Sequence, residues 1–204
     1  MRVSGADGGE SSPKQSDQRE PKLVRLRDGS SVTVRAATAR DEPALRSFLS
    51  GLGLEARRLG FFTMARDITL PPAPAAAAGR GDHRYGLVAH DEAGIVVGHA
   101  ICAPLDGSPA AVAVEVADHL HGRGLGTILI ERLAAIAERL GITHFIAEVL
   151  PENRALLDVF RDGFDARPTF YEGSDAVEFP TAAWRLARER FAEGPAKRAG
   201  ASQS

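Results

Sequence analysis

Two adjoining features carry most of the chemistry legible in this chain of 204 residues. One is Glu115, set inside the apolar run Val112-Ala113-Val114-Glu115-Val116-Ala117. The other is the glycine-spaced turn His121-Gly122-Arg123-Gly124-Leu125-Gly126-Thr127 just after it. A carboxylate among valines gives up hydration, and an ionised one left there without partner or use costs several kcal/mol. Three uses fit the pattern: a general base, a pair with an arginine, or a place on a solvated face. Side chains alternate along a strand, so positions 111 and 115 point the same way.

The turn runs from a strand into a helix. The first N–H groups of a helix lack intrahelical partners and carry about half a positive charge. Glycines at 122, 124 and 126 keep side chains away from those groups, and Arg123 can add a charged contact. The turn reads either as a phosphate cradle or as a tight connection that simply needs glycine. The spacing G-x-G-x-G differs from the dinucleotide fingerprint G-x-G-x-x-G, and no lysine makes it a Walker loop. His119, His121 and His144 stand at no metal-ligand spacing with carboxylates or cysteine, so no metal is expected.

Around these residues the chain alternates strands and helices. Residues 31–37 alternate β-branched and polar types as a strand. Pro43 and apolar residues at 45, 48, 49 and 52 mark a helix, and LEARRLGFF continues as a second short one. RYGLVAHD and GIVVGHAICAPL are strands joined at Asp91-Glu92-Ala93-Gly94, and AAVAVEVAD is a third beside them. Residues 124–140 form the clearest helix, with apolar residues at 125, 128, 129, 133, 136, 137 and 140 and Gly141 as its stop. ITHFIAEVL is a strand, ENRALLDVFRDG a helix, 164–180 a final hairpin and TAAWRLARERF a last helix. The expected class is α/β (α+β), a mixed, mostly antiparallel sheet with helices on both faces.

Residues 1–22 and 193–204 are small and polar, which predicts a disordered leader and a tail or linker flanking one domain over 23–192. A net charge of −2 makes no case for nucleic acid or an anionic membrane surface. No apolar run is long enough to span a bilayer, and Cys102 is the one cysteine, which fits a reducing, cytoplasmic setting.

His121-Gly122-Arg123-Gly124-Leu125-Gly126 resembles the acetyl-CoA motif of the GNAT N-acetyltransferases, Gln/Arg-x-x-Gly-x-Gly/Ala. Glu152-Asn153-Arg154-Ala155, with an apolar helix and Gly163-Phe164 behind it, resembles the family's downstream signature. LRDGSSVTVRAATARDEPALRSFLSGL, RRLGFF and AEVLPENRALLDVFRDGF are similar to the acetyltransferase domain of Pat-type protein lysine acetyltransferases. The resemblance covers about residues 23–180.

The resemblance implies a fold in which the AAVAVEVAD and ITHFIAEVL strands splay apart at one end. The pantetheine arm of acetyl-CoA enters there and pairs with backbone groups of Val116 and Ala117. The pyrophosphate lies on 121–127, and Asn153 adds a cofactor contact. The implied reaction is direct acetyl transfer in a ternary complex to a lysine ε-amine of a protein, with Glu115 as general base. An AMP-forming acyl-CoA synthetase is the implied target, and a regulatory acyl-CoA-synthetase-like domain the implied fusion partner. Rival readings are a small-molecule amine as acceptor and a non-catalytic acyl-CoA-sensing module. Two departures stand out. His121 replaces the usual Gln or Arg, and Phe160 stands where many members have a tyrosine that protonates the leaving thiolate, which leaves water for that task.

Overall fold

The computed structural model describes residues 20–52, 84–105, 109–149, 153–171 and 174–185. The expected second helix over LEARRLGFF, the leader before residue 20 and the tail lie outside these residues, as does the last helix beyond 185.

The described strands are β1 (Lys22–Arg25), β2 (Ser31–Ala36), β3 (Tyr85–His90), β4 (Val96–Pro104), β5 (Pro109–Val116), β6 (His144–Glu148), β7 (Arg167–Tyr171) and β8 (Ser174–Pro180). The helices are α1 (Glu42–Gly51), α2 (Leu125–Arg139) and α3 (Arg154–Asp158). The eight strands form one sheet in the order β1-β2-β3-β4-β5-β6-β8-β7. Every pairing is antiparallel except β5 with β6. That one parallel pair needs a crossover, and α2 supplies it.

β1 is the strand that sequence reasoning did not foresee. Leu23 is 75% exposed, so the strand buries little and is defined by its backbone ladder to β2 rather than by an apolar side. The third helix also differs from expectation. It is α-helical only to Asp158 and then widens into a π-turn over Val159–Gly163. Phe160 and Phe164 are both buried there, with ring centroids 5.0 and 5.4 Å from that of Phe179. Asn153 caps this helix, its Oδ1 accepting from the Leu156 N–H at 3.1 Å.

The two sides of the sheet bury different things. Leu125, Leu129, Ile130, Leu133, Ala134 and Ala137 of α2 have no exposed surface and pack into a core with Val34, Ala100 and Phe145. Burying one such leucine contributes about 1.5–3 kcal/mol. Gly98 lets α2 lie close, because a Cβ there would stand 3.1 Å from Leu125 Cδ2 and 3.2 Å from Leu129 Cδ1. On the opposite side, Leu45 and Phe48 of α1 pack against Val88, Val96 and Ile101.

That second side also carries polar groups. Arg35 stands opposite Val88, Val88 opposite His99, and His99 opposite Glu115, so one row crosses four strands. At its outer end Arg35 Nη2 meets Asp41 Oδ1 at 2.5 Å. The Arg35 guanidinium, helped by the Thr38 N–H and hydroxyl, holds the Asp41 carboxyl down at about 2 against the opposing effect of burial. No described helix is long and apolar enough to cross a membrane.

Candidate functional site

β5 and β6 pair at Pro109 with His144, Ala110 with Phe145 and Ala111 with Ile146, and there the register ends. Both strands run on, β5 to Val116 and β6 to Glu148, without further pairing. The seam therefore opens toward the carboxyl ends of two parallel strands.

Hydrogen-bond direction along β5 follows from one contact. The Ala117 N–H donates to Val97 C=O at 2.9 Å. Antiparallel ladders alternate, so Ala113 and Glu115 also turn their backbone groups to β4. Val114 and Val116 turn theirs to the open seam. The Ala117 N–H is thus engaged by β4, while the Val116 N–H faces the slot. The Val116 C=O meets His121 Nε2 at 2.9 Å, with the ring nitrogen as donor.

The turn that follows supplies the second part of the site. Gly122 and Gly124 have φ of 73° and 88°, a region that only glycine enters without strain. The backbone thus requires glycine at both, whatever else the turn does. Gly124 is the N-cap of α2, and no side chain caps that end. The first helical bond runs from the Ile128 N–H to Gly124 C=O at 3.1 Å. The N–H groups of Leu125, Gly126 and Thr127 precede it. Space is open beside Gly122, where a Cβ would meet nothing within 4 Å. An uncapped helix end beside an open turn fits an anionic phosphate group.

Side chains divide the turn further. Leu125 is fully buried and Thr127 is 5% exposed, so both help fix the helix from inside. Gly126 lies 3.7 Å, from an added Cβ, to Val116 Cγ2, which links the turn to the seam. Arg123 forms an ion pair with Asp28 in the β1–β2 turn, and its C=O accepts from the Arg27 N–H at 3.1 Å. The edge hairpin thus braces the turn.

Glu115 is buried, its side chain 1% exposed, and its partner is a histidine. His99 Nδ1 lies 3.2 Å from Glu115 Oε2. With Glu115 as a carboxylate its oxygen can only accept, so Nδ1 would then be the donor. The outer atoms, Glu115 Oε1 and His99 Nε2, are buried with no hydrogen-bond partner among the described residues. His99 is the residue that sequence reasoning missed. Its signal lay in GIVVGHAICAPL, a polar residue inside an apolar strand, but its meaning needed the β4–β5 register.

Phe160 contributes no hydroxyl and packs in the aromatic core, 1% exposed. Burial pushes the Cys102 thiol up to about 12, which removes it as a nucleophile at neutral pH. Among the described residues no three His, Cys, Asp or Glu side chains gather to hold a metal ion. A cleft of about 580 Å³ lies on the α1 side, between Ser47, Phe48 and Leu52 of that helix's end and Ala117, Asp118 and His119.

The sequence profile of the acetyltransferase (GNAT) family matches residues 55–164. The crystal structure of the GNAT domain of S. lividans PAT is 30% identical, with a TM-score of 0.62 over 78% of this chain and 96% of that one. A cAMP-binding acyltransferase from Mycobacterium smegmatis (E234A mutant) shares the fold at 21% identity and a TM-score of 0.54; the match spans 87% of this chain and 57% of that one. A phosphinothricin acetyltransferase from Sinorhizobium meliloti in complex with AcCoA shares it at 20% identity and a TM-score of 0.52, over 73% of this chain and 88% of that one. No curated protein matches the sequence. With the family profile laid over the turn, the seam and the strands that form them, the chain belongs to the GNAT acetyltransferase family and is an N-acetyltransferase.

Proposed function

We propose that this chain transfers an acetyl group from acetyl-CoA to a lysine ε-amine on a protein, with Glu115 as general base. One observation carries the reading: the parallel seam opens just where a buried carboxylate and an uncapped helix end adjoin it. The N–H groups of Leu125, Gly126 and Thr127, with the open turn at Gly122, Arg123 and Gly124, would hold the pyrophosphate. The seam would take the pantetheine arm, with His121 and Val116 at its mouth. The Val116 N–H is the donor that faces the thioester carbonyl. Asn153 caps α3, so its share in cofactor binding would go through the helix it starts.

The chemistry takes two protons from nitrogen and returns one to sulfur. The ε-ammonium gives its first proton to Glu115, so an N–H bond breaks and an O–H bond forms. The free amine then attacks the thioester carbon, a C–N bond forms, the C–S bond breaks, and the second N–H proton passes through water to the thiolate, while the proton held on Glu115 is later lost to solvent. The cleft on the α1 side, with Asp118 at its edge, suits a cationic side chain carried on a protein surface. The match to the S. lividans PAT domain supports a protein acceptor, and an AMP-forming acyl-CoA synthetase is the target we propose. The longer M. smegmatis acyltransferase supports a regulatory domain joined to this one, with the segments outside 23–192 as leader and linker.

The test is incubation with acetyl-CoA and a cell extract, followed by mass spectrometry for acetyl-lysine. Wild-type protein should mark a small set of proteins, and Glu115→Ala should bind acetyl-CoA normally in calorimetry while losing transfer by about two orders of magnitude. Near-normal turnover in that variant would refute the base assignment.

A further inference from the structure

We infer that His99 is a positioning residue for Glu115. It fixes one carboxylate oxygen so that the other is left for the acceptor amine. The inference rests on the reading of Glu115 as base and goes beyond it to a second residue, on a different strand.

The geometry comes first. His99 and Glu115 are direct cross-strand neighbours in the β4–β5 ladder. Such neighbours share a face of the sheet and bring their side chains within contact. The His99 side chain has no exposed surface and Glu115 only 1%. Burying both costs far more than an exposed pair would, and removing either leaves a desolvated polar group behind. A sheet built only for stability would carry two apolar residues here, as the neighbouring row does with Ile101 and Ala113.

The partners are also divided in a useful way. Nδ1 faces Oε2, which leaves Oε1 and Nε2 without partners among the described residues. A carboxylate offers two oxygens and about four lone-pair positions, so one bond to histidine still leaves a full acceptor. A carboxylate free to rotate about its own stem would present either oxygen in many directions. One held at Oε2 presents Oε1 in one direction. Orientation of a reacting group is worth large factors in rate, and misplacing it by about an ångström costs roughly 100-fold. Proton transfer fits the same arrangement. An N–H bond of the ammonium breaks, an O–H bond forms at Oε1, and the Nδ1 proton stays on His99 throughout.

The cross-strand partners separate position 115 from position 111 on the same face of β5. The residue opposite 111 is Ala103, which has no donor, whereas the residue opposite 115 is His99. The donor and the carboxylate occupy the same rung.

Variants at both positions test the inference, with acetyl-CoA and poly-L-lysine as substrates. His99→Leu should lower kcat by roughly 10- to 100-fold, the scale of a misplaced reacting group, with KM for acetyl-CoA unchanged. His99→Asn, whose side-chain amide can donate from about the Nδ1 position, should recover most of that loss. In a Glu115→Ala background His99→Leu should cost nothing further. Nitrogen NMR of the imidazoles gives a readout free of turnover: Nδ1 of His99 should carry a proton, and Glu115→Gln should change that signal selectively. A folded His99→Leu with unchanged kcat overturns the inference, as does a His99→Asn no better than His99→Leu, or a ring with no proton on Nδ1. Normal turnover in Glu115→Ala would instead overturn the base assignment itself, so the two failures are distinct.

Discussion

The two faces of this sheet are built to different rules. The face under α2 is closed and apolar: Leu125, Leu129, Ile130 and Leu133 leave no surface exposed, and a glycine at 98 removes even one methyl to let them in. The face under α1 carries a polar row from Arg35 to Glu115, with a carboxylate and an imidazole sealed inside it. Both faces are buried, so burial alone does not tell structure from chemistry. What separates them is whether the polar atoms are satisfied. On the α2 side the buried polar residue of the helix is Thr127, a neutral hydroxyl; on the α1 face Glu115 Oε1 and His99 Nε2 remain open among the described residues. Proteins rarely leave such atoms unpaired without a use for them.

The comparison can be broken at several points. Leu129→Ala, on the α2 face, should remove about 2–5 kcal/mol of stability, because a void opens where packing is tightest. Chemical denaturation would read it, and a loss under 1 kcal/mol, about the scale of an exposed change, would mean that the α2 face is not the one that holds the fold.

On the α1 face, Asp41→Asn should remove roughly 1–2 kcal/mol near neutral pH. Here the sign matters. The folded pKa of Asp41 lies at about 2, below the ordinary carboxylate value of 3.8. Its stabilisation is therefore complete above that higher value and is lost as pH falls toward the lower one. Denaturation curves taken from about pH 5 down to about pH 2 should show the two proteins converging. Equal stability across the range would mean that the Arg35–Asp41 pair does not anchor the polar row.

The smallest effect belongs to the brace outside both faces. Asp28→Ala releases Arg123, and an exposed ion pair of this kind contributes little. Thermal melting should move little, and that shift should shrink in high salt. A large, salt-independent loss would place the pair among the buried features.

Much of this arrangement is readable in the residues themselves. Helix α2 shows its apolar period and its glycine stop, and Asp91 to Gly94 mark the hairpin between β3 and β4. Period-two alternation places positions 111 and 115 on one face. These are local rules, and local sequence carries them. The edge strand β1 is different, because Val24 alone of its four residues is partly buried, too short a signal to announce a strand that its backbone ladder to β2 defines. The π-turn after Asp158 is set by where Phe160 and Phe164 must lie against Phe179, which is a tertiary demand. His99 escapes for the same reason. Its partner is sixteen residues away, and only the register of two strands brings them together.

The opening of the seam has a consequence for how the backbone of β5 exchanges with water. Amides 113, 115 and 117 turn toward β4, where they are held in a ladder, while those of Val114 and Val116 turn toward the slot. A single strand thus carries two clocks. Deuterium should enter at alternate residues along it, fast at 114 and 116 and slow at 113, 115 and 117. A ligand that fills the slot would slow the fast set and leave the slow set unchanged, so the strand itself reports when the seam is occupied.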